Sequence, residues 1–274
     1  MKNFFIRSLT GFLYLIVFIA ALLSGKFTFA VLFLIIGLIS LWEFYNIVSL
    51  RGYKPARYPG MFLGAILFIL IYYICAYNRS QALTVVIIPV VIYIFISELY
   101  KNQHDPLANI ALTLLGIIYI ILPLSLFIEF SFYSDNEYNY RITLGFFILM
   151  WINDTAAYIF GISFGKHRLF KRISPKKSWE GFIGGTLITL IASYFMIYFS
   201  ELPGRSGWII IGLIISVAGV FGDLIESMLK RSAGLKDSGK LLPGHGGMLD
   251  RIDSVLLSSP LVFVYLIIIN YFKT

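Results

Sequence analysis

Residues 207–228 read GWIIIGLIISVAGVFGDLIESM, an apolar run that ends with two acidic side chains. A helix needs about 20 mostly apolar residues to cross the hydrocarbon core of a bilayer, so this run is long enough to span one. Segments of the same kind recur along the chain, at roughly residues 9–24, 27–48, 60–77, 82–97, 108–131, 142–164, 181–200, 207–228 and 254–272. The sequence therefore predicts an all-α, polytopic integral membrane protein with about nine transmembrane helices.

The composition of the chain supports this fold class. Of its 274 residues, 59% are hydrophobic and 13% are charged, and the mean hydropathy is +0.85. Soluble proteins are about 45–50% apolar and roughly 25% charged. We expect a single membrane domain over residues 1–274, in which 1–131 supply the N-terminal helices and 142–274 supply the helices and cytoplasmic loops that carry the candidate functional site.

The distribution of lysine and arginine predicts the orientation in the membrane. With a cytoplasmic N-terminus, each of the five opposite segments carries one basic residue, and all the others fall on the cytoplasmic side. The two loops richest in basic residues, 165–180 and 229–253, are then both cytoplasmic. No small-x-small cleavage site follows the first apolar run, so an uncleaved span is preferred there to a signal peptide. We expect a multi-pass protein of the cell membrane whose functional site faces the cytoplasm.

The net charge of +8 does not indicate a nucleic-acid partner. The basic residues lie between apolar segments, and no recognition motif for nucleic acid accompanies them. The chain has a single cysteine, Cys75, which excludes an intramolecular disulfide and a cysteine metal cluster.

The end of the 207–228 segment places polar groups on one helical face. Asp223, Glu226, Ser227 and Lys230 are spaced i, i+3, i+4 and i+7, which brings them to the same side of a helix. Glu226 and Lys230 are explained equally by a simple i,i+4 ion pair. Asp223 lies further into the apolar segment and needs a partner of its own, which makes it a functional-site candidate.

The loop after this helix is rich in glycine and leads to more carboxylates. Its glycines let the backbone approach a ligand closely, and they are Gly234, Gly239, Gly244, Gly246 and Gly247. Asp250 and Asp253 then precede the last apolar segment. Magnesium commonly takes one or two carboxylates together with water and phosphate oxygens, so we predict a site at Asp223 and Asp250. His245 is compatible with a phosphate contact or with a hydrogen bond within the loop.

These residues carry a resemblance to a known family. The pattern Ser227-x-x-Lys230-Arg231, Lys236-Asp237-x-Gly239, Pro243-x-His245-Gly246-Gly247 and Asp250-Arg251-x-Asp253 resembles the signature of the phosphatidate cytidylyltransferases, also called CDP-diacylglycerol synthases. A pattern with about a dozen fixed positions is far more specific than a lone glycine motif.

The other basic loop adds a second match. Residues 174–181 read SPKKSWEG, and the family typically carries SPKKTWEG, so Ser178 keeps the hydroxyl of the usual threonine. We expect Pro175 to fix a turn, Glu180 to lie at a helix start and Gly181 to open that helix. On charge alone, the loop is also explained as a polybasic segment attracted to anionic lipid, at about 1 kcal/mol per charge.

A polar break in the segment 142–164 gives the third match. Asn153 and Asp154 interrupt the apolar run, and the stretch from Asp154 to Gly161 resembles the family pattern D-x-x-A-Y-x-x-G. A hydrogen bond to a neighbouring helix would equally explain the polar pair. The three matches cover roughly residues 150–253, while the earlier segments contribute hydropathy alone.

The resemblance implies a reaction in which CTP and phosphatidate give CDP-diacylglycerol and pyrophosphate. It implies that Asp223 and Asp250 hold Mg²⁺, that Lys230 and Arg231 act on the phosphates, and that Asp237 and Asp253 orient cations. The substrate-binding positions expected from it are Ser174, Lys176, Lys177, Lys236, His245, Gly246, Gly247 and Arg251. A second cation beside magnesium, contact with the bilayer and a homodimer are further expectations.

Two other functions are compatible with parts of the pattern. A transporter or channel would also carry Asp154 within a span, although the charges here cluster in a glycine-rich loop rather than on broken helices at mid-membrane. An enzyme that consumes CDP-alcohols would carry a D-G-x-x-A-R motif, which this sequence lacks. Release of pyrophosphate from CTP and phosphatidate distinguishes the predicted function from both alternatives.

Overall fold

A computed structural model of the chain describes residues 2–133, 137–201, 203–239, 241 and 246–273. Ten α-helices follow one another, and we number them in chain order: α1 Lys2–Ser24, α2 Lys26–Ser49, α3 Arg57–Tyr77, α4 Ile87–Leu99, α5 Pro106–Gly116, α6 Leu122–Glu129, α7 Tyr140–Phe164, α8 Trp179–Phe195, α9 Arg205–Ser232 and α10 Leu249–Lys273. Short 3₁₀ turns at Gln81–Val86, Phe130–Phe132 and Met196–Tyr198 extend three of them, and a π-helical turn at Ile117–Ile121 joins α5 to α6.

The chain is a helical, multi-pass membrane protein, as its hydropathy predicts. Eight helical stretches of the described residues are long and apolar enough to cross a bilayer, and Thr10–Ser24 within α1 is a shorter apolar stretch. Every predicted segment coincides with helix. The count of nine spans and the cytoplasmic N-terminus stay predictions.

The two helix ends that carry the acidic and basic motif residues lie beyond the predicted boundaries. Helix α9 continues to Ser232, beyond the predicted end at 228, and α10 begins at Leu249, before the predicted start at 254. The added turns are polar, so hydropathy does not detect them. Asp250 lies in the first turn of α10, where the helix dipole favours a negative charge. Lys230 and Arg231 lie in the last turn of α9, where the dipole favours positive charges.

The chain divides into two compact units. The first unit comprises residues 1–129 and 232–252, and the second comprises 130–231 and 253–274. The single membrane domain expected from the sequence stays a prediction.

The first unit is built around α2, which is buried over much of its length. Its aromatic core includes Phe29 and Phe33, and Phe33 lies 5.2 Å from Phe127 of α6 between ring centroids. Tyr45 donates a hydrogen bond to the Thr113 carbonyl oxygen at 2.8 Å, which ties α2 to α5. Aromatic pairs of this kind stabilise a core beyond the area that they bury.

The second unit is held by close helix packing at small residues. A side chain at Gly185 of α8 would contact Ala157 and Asn153 of α7, and one at Gly145 would strike the ring of Trp208. Small residues at such positions let helix backbones approach each other in membrane proteins. The indole of the fully buried Trp208 donates to the Ser200 carbonyl oxygen at 2.9 Å.

A two-stranded hairpin occupies the basic loop between α7 and α8. Strand β1, Arg168–Phe170, pairs antiparallel with strand β2, Ser174–Ser178. The prediction that Pro175 fixes a turn is wrong, because Pro175 lies within β2 and the chain reverses at residues 171–173. A proline is tolerated in such a strand because its missing N–H can be at an unpaired edge.

Candidate active site

The acidic cluster of the second unit lies where α9 and α10 approach each other. Asp223 and Glu226 of α9 and Asp253 of α10 each offer a carboxylate oxygen, and these three oxygens lie within 4.8 Å of one another. Gly222 makes the approach possible, since a Cβ there would collide with the backbone carbonyl oxygen of Asp253. Three carboxylates at this separation form an oxygen-rich group of the kind that hard divalent cations prefer.

Two hydrogen-bonding partners orient Asp223. The ammonium of Lys177 lies 2.6 Å from one carboxylate oxygen of Asp223, and the Ser227 hydroxyl donates to the other at 3.1 Å. Lys177 also donates to the Val220 carbonyl oxygen at 3.3 Å. We expected from the sequence that Asp223 needs a partner, and that partner is Lys177 of the hairpin.

Glu226 and Lys230 form the i,i+4 ion pair that the sequence left open. Both are buried, and the Glu226 side chain is fully so. Removing one member of a buried pair leaves an uncompensated charge, which is strongly destabilising. We therefore expect that loss of either member of the pair would destabilise the C-terminal end of α9.

A cavity of about 660 Å³ opens beside Asp223 within the second unit. Its polar wall includes the cations Arg168, Lys176 and Lys177 of the hairpin, together with Asp223 and Asp154. The volume lies within the range of small-molecule sites in proteins. Cationic groups beside a carboxylate cluster favour a ligand that carries phosphate.

The polar break in α7 faces this cavity. Asp154, Ala157, Tyr158 and Gly161, the residues of the D-x-x-A-Y-x-x-G pattern, all line it. The neighbouring Asn153 is buried and accepts a hydrogen bond of 3.4 Å from Thr189 of α8. The helix-to-helix hydrogen bond considered for this pair therefore belongs to Asn153, while Asp154 is exposed to the cavity.

Apolar side chains also line the cavity. Tyr158 and Ile162 of α7 are largely exposed, and Phe182 of α8 also lines the cavity. Small-molecule sites are commonly lined by apolar side chains with a few polar groups among them. The cavity lining therefore combines charged and apolar groups.

The start of α8 anchors the hairpin. The Ser178 hydroxyl caps the helix by accepting from the Gly181 N–H at 3.2 Å, and Glu180 lies in the first turn, as predicted. Glu180 also accepts from the backbone N–H of His167 and lies 2.6 Å from its imidazole Nδ1. The Trp179 N–H donates to the His167 carbonyl oxygen at 2.9 Å. Residues 174–181 thus fix the strand that presents both lysines.

The first unit holds the glycine-rich segment. Asp250 accepts hydrogen bonds from the backbone N–H groups of Ser238, at 3.0 Å, and Gly247, at 2.7 Å. Gly246 has a φ of +84°, a conformation that favours glycine. Asp250 and Asp223 belong to different units.

The same segment is bound by Glu43 of α2. The carboxylate of this buried residue accepts from the N–H groups of Met248 and Leu249, at 3.0 and 2.9 Å, and from the Ser238 hydroxyl at 2.9 Å. A side chain at Gly247 would collide with it.

The family model described as "Cytidylyltransferase family" matches residues 5–269 of this chain. The chain belongs to this family. It is 36% identical over 266 residues to a protein of Staphylococcus aureus (strain COL) named "Phosphatidate cytidylyltransferase", with 96% of this chain and 98% of that protein covered. Proteins of the same name from Staphylococcus haemolyticus and Staphylococcus epidermidis are 34% and 33% identical over the same span.

The family resemblance inferred from the motifs is therefore confirmed, and the chain is a cytidylyltransferase. The match extends well beyond residues 150–253, where the motifs lie, into the apolar N-terminal helices. These helices, which contributed only hydropathy to the prediction, are thus part of the family's common architecture.

The structure places the predicted site residues in several environments. Lys176 and Lys177 line the cavity, whereas Ser174 begins β2 and is not among the cavity-lining residues that the structure describes. Four of the predicted site residues have solvent-exposed side chains: Arg231, Lys236, Asp237 and Arg251. His245 and Pro243 lie outside the described residues. The roles predicted for these residues stay predictions.

Glu43 is a residue of interest that the sequence motifs do not include. It is the only charged residue of the predicted segment 27–48, and a lone carboxylate in an apolar segment is a signal in its own right. Asp253 is predicted to orient cations, and this role stays a prediction; the structure adds that its carboxylate lies with that of Asp223 in the acidic cluster. The sequence does not reveal that proximity, which depends on the close approach of the two helices at Gly222.

Proposed function

We propose that this cytidylyltransferase converts CTP and phosphatidate into CDP-diacylglycerol and pyrophosphate at the cavity of its second unit. The observation that carries the proposal is the ion pair between Asp223, a member of the acidic cluster, and Lys177 of the hairpin, both of which line that cavity. The relatives named "Phosphatidate cytidylyltransferase" cover nearly the whole chain and support the choice of substrates.

The mixed lining of the cavity suits a lipid that carries a phosphate. Its apolar side chains Tyr158, Ile162 and Phe182 suit acyl chains, and Arg168 and Lys176 suit phosphate oxygens. Charged hydrogen bonds between such cations and phosphate are among the strongest in proteins. A water-soluble nucleotide and a bilayer lipid can therefore be bound in one chain without a separate soluble domain.

The residues of the acidic cluster fit a magnesium ion. Asp223 and Asp253 offer hard oxygen ligands, and Glu226 lies beside them while pairing with Lys230. Magnesium usually keeps several waters and binds one or two carboxylates together with substrate phosphates. When bound, the ion supplies Lewis-acid polarisation of phosphate oxygens. Asp250, of the first unit, stays a predicted ligand, and a second cation is also an expectation only.

The hairpin lysines act on the charge that develops in the reaction. A phosphatidate oxygen attacks the α-phosphorus of CTP, a new P–O bond forms, and the bond to the departing pyrophosphate breaks. The phosphatidate phosphate is already ionised near neutral pH, so no strong general base is needed. Catalysis of this kind rests on positioning and on fixed positive charge. Lys177 and Lys176 supply that charge at the cavity, while Lys230, Arg231 and Lys236 are predicted to act on the pyrophosphate.

The site is proposed to face the cytoplasm, where CTP is available. The proposal rests on the concentration of lysine and arginine in the loops 165–180 and 229–253, which positive-inside topology favours. The homodimer expected from the family resemblance is likewise a proposal.

Purified protein in detergent tests the activity directly. We expect pyrophosphate release only when CTP, phosphatidate and Mg²⁺ are all present, and loss of release when a chelator removes the metal. A chain that only transports ions or solutes releases no pyrophosphate under these conditions. CDP-diacylglycerol identified by mass spectrometry as the second product excludes simple CTP hydrolysis.

Replacing Lys177 by methionine is expected to lower kcat/KM by about 100-fold, equivalent to about 2.7 kcal/mol. The variant keeps most of the side-chain volume but removes the cation that contacts Asp223 and faces the cavity. The matched control is Lys171→Met, which removes the same charge from the exposed turn of the hairpin, outside the cavity lining. Steady-state kinetics with both substrates should show less than about a threefold change for the control. Equal effects of the two variants would mean that only the net charge of the hairpin matters.

A further inference from the structure

Glu43 is a buried carboxylate that receives three hydrogen bonds from one segment of the chain. One of its oxygens accepts from the Met248 N–H, and the other accepts from the Leu249 N–H and the Ser238 hydroxyl. Its side chain is almost inaccessible to solvent, with a relative exposure of 6%. Burial of a carboxylate is costly unless hydrogen bonds compensate it, and these three donors provide that compensation.

The position of these donors gives Glu43 a specific structural effect. Met248 and Leu249 lie at the N-terminus of α10, where the first backbone N–H groups lack partners within the helix. A negative charge at a helix N-terminus is also favoured by the helix dipole. Glu43 therefore fixes the first turn of α10 from outside that helix.

Ser238 connects Glu43 to Asp250. The Ser238 hydroxyl donates to Glu43, and its backbone N–H donates to Asp250, at 2.9 and 3.0 Å. Gly247 also lies close to both carboxylates. Its N–H donates to Asp250, and a side chain at this position would collide with Glu43. Both carboxylates thus accept hydrogen bonds from the same part of the chain, residues 238 and 247–249.

We propose that Glu43 is a positioning residue for cytidylyl transfer, which acts by fixing the first turn of α10 and the orientation of Asp250. The inference rests on the proposed function, in which Asp250 is a predicted magnesium ligand. It assigns a role in the reaction to the N-terminal helices, which carry none of the motifs of residues 150–253. Glu43 does not touch the substrates; its effect on the reaction passes through Asp250.

The decisive variant is Glu43→Gln, which preserves shape but removes the charge. Three donors face two oxygens in the native protein, and glutamine replaces one of these oxygens by an NH₂ group. At least one backbone N–H, that of Met248 or of Leu249, then faces another donor. The matched control is Glu98→Gln, at a buried glutamate of the same unit that is bonded to Lys101 and Asn109.

We expect Glu43→Gln to lower kcat by about 10-fold or more while the KM for CTP changes by less than about threefold. The amides of Met248 and Leu249 should exchange with deuterium at least about 10-fold faster. The half-saturating Mg²⁺ concentration should rise. Glu98→Gln should leave kcat, the Mg²⁺ dependence and the exchange of these two amides within about twofold, even where it lowers thermal stability.

Three results would overturn the inference. They are an unchanged kcat in Glu43→Gln despite faster exchange, unchanged exchange, or an equal loss of kcat in Glu98→Gln. If Glu43→Gln does not fold, Ser238→Ala takes its place, because it removes one donor to Glu43 and leaves the backbone bond to Asp250; the same signature is expected, with a smaller amplitude. If wild-type protein releases no pyrophosphate, the proposed function fails, and the exchange data still decide whether Glu43 holds the segment.

Discussion

Asp223→Asn is expected to lower magnesium-dependent turnover of CTP by about 1,000-fold or more, because loss of a metal ligand removes several kcal/mol of charge stabilisation. The asparagine keeps an oxygen that can accept from Ser227, but it loses the charge that attracts both Lys177 and a cation. The side chain is only partly buried, so the fold should persist in membranes. Steady-state pyrophosphate release measures the turnover, and calorimetric titration with Mg²⁺ measures the binding of the metal independently.

The matched control for this variant is Ser227→Ala. It removes the hydroxyl that donates to Asp223 at 3.1 Å and leaves the carboxylate in place. One hydrogen bond contributes about 1 kcal/mol, so the loss of activity should remain below about 10-fold. Near-normal turnover in Asp223→Asn, or unchanged Mg²⁺ binding, would exclude Asp223 as a metal ligand.

Much of the fold follows from local sequence, because a span needs only a sufficient length of apolar residues. The segment 207–228 predicts α9 without knowledge of any neighbour. The hairpin Arg168–Ser178 is different, since its short strands carry charge without the alternation that identifies a strand. Pro175 indicated a turn on local grounds, but the pairing of β1 with β2 places it in a strand.

For the acidic residues of the site too, contacts within one helix follow from the sequence, whereas contacts between distant parts of the chain do not. Helical spacing offered the pairing of Glu226 with Lys230 as one of two explanations, and it placed Ser227 one turn from Asp223. Nothing local predicts that Asp223 meets Lys177, which is 46 positions earlier in the sequence. Contacts between distant parts of the chain depend on how helices pack, and a single apolar sequence does not reveal that packing.

The N-terminal half illustrates why the motifs alone give an incomplete site. The contacts of Glu43 with Ser238 and Leu249 join residues that are 195 and 206 positions apart. Hydropathy identifies the segment 27–48 as a span despite Glu43 and assigns no role to this residue. Its three hydrogen-bond donors explain why a buried carboxylate is tolerated there, and they connect α2 to the segment of the same unit that carries the family motif.

Asp250→Asn is expected to lower turnover by a similar factor, about 1,000-fold, if Asp250 is the ligand that the family resemblance implies. The native carboxylate accepts from Gly247 and Ser238 mainly through one oxygen. An asparagine that places its oxygen there keeps both bonds, so the segment should retain its conformation while it loses the charge. Turnover and Mg²⁺ titration should therefore change strongly, whereas deuterium exchange of the Gly247 amide should change by less than about threefold.

The matched control is Asp237→Asn, at an exposed carboxylate next to Ser238. It removes the same charge from the same segment, and exposed charges are strongly screened by solvent and salt. We expect turnover to fall by less than about 10-fold in this variant. A combined increase of Gly247 exchange and loss of turnover in Asp250→Asn would show that Asp250 acts by holding the loop, since loss of a ligand alone leaves the backbone bonds intact. Fast turnover with unchanged exchange would contradict both roles, and the metal assignment would then rest on Asp223 and Asp253 alone.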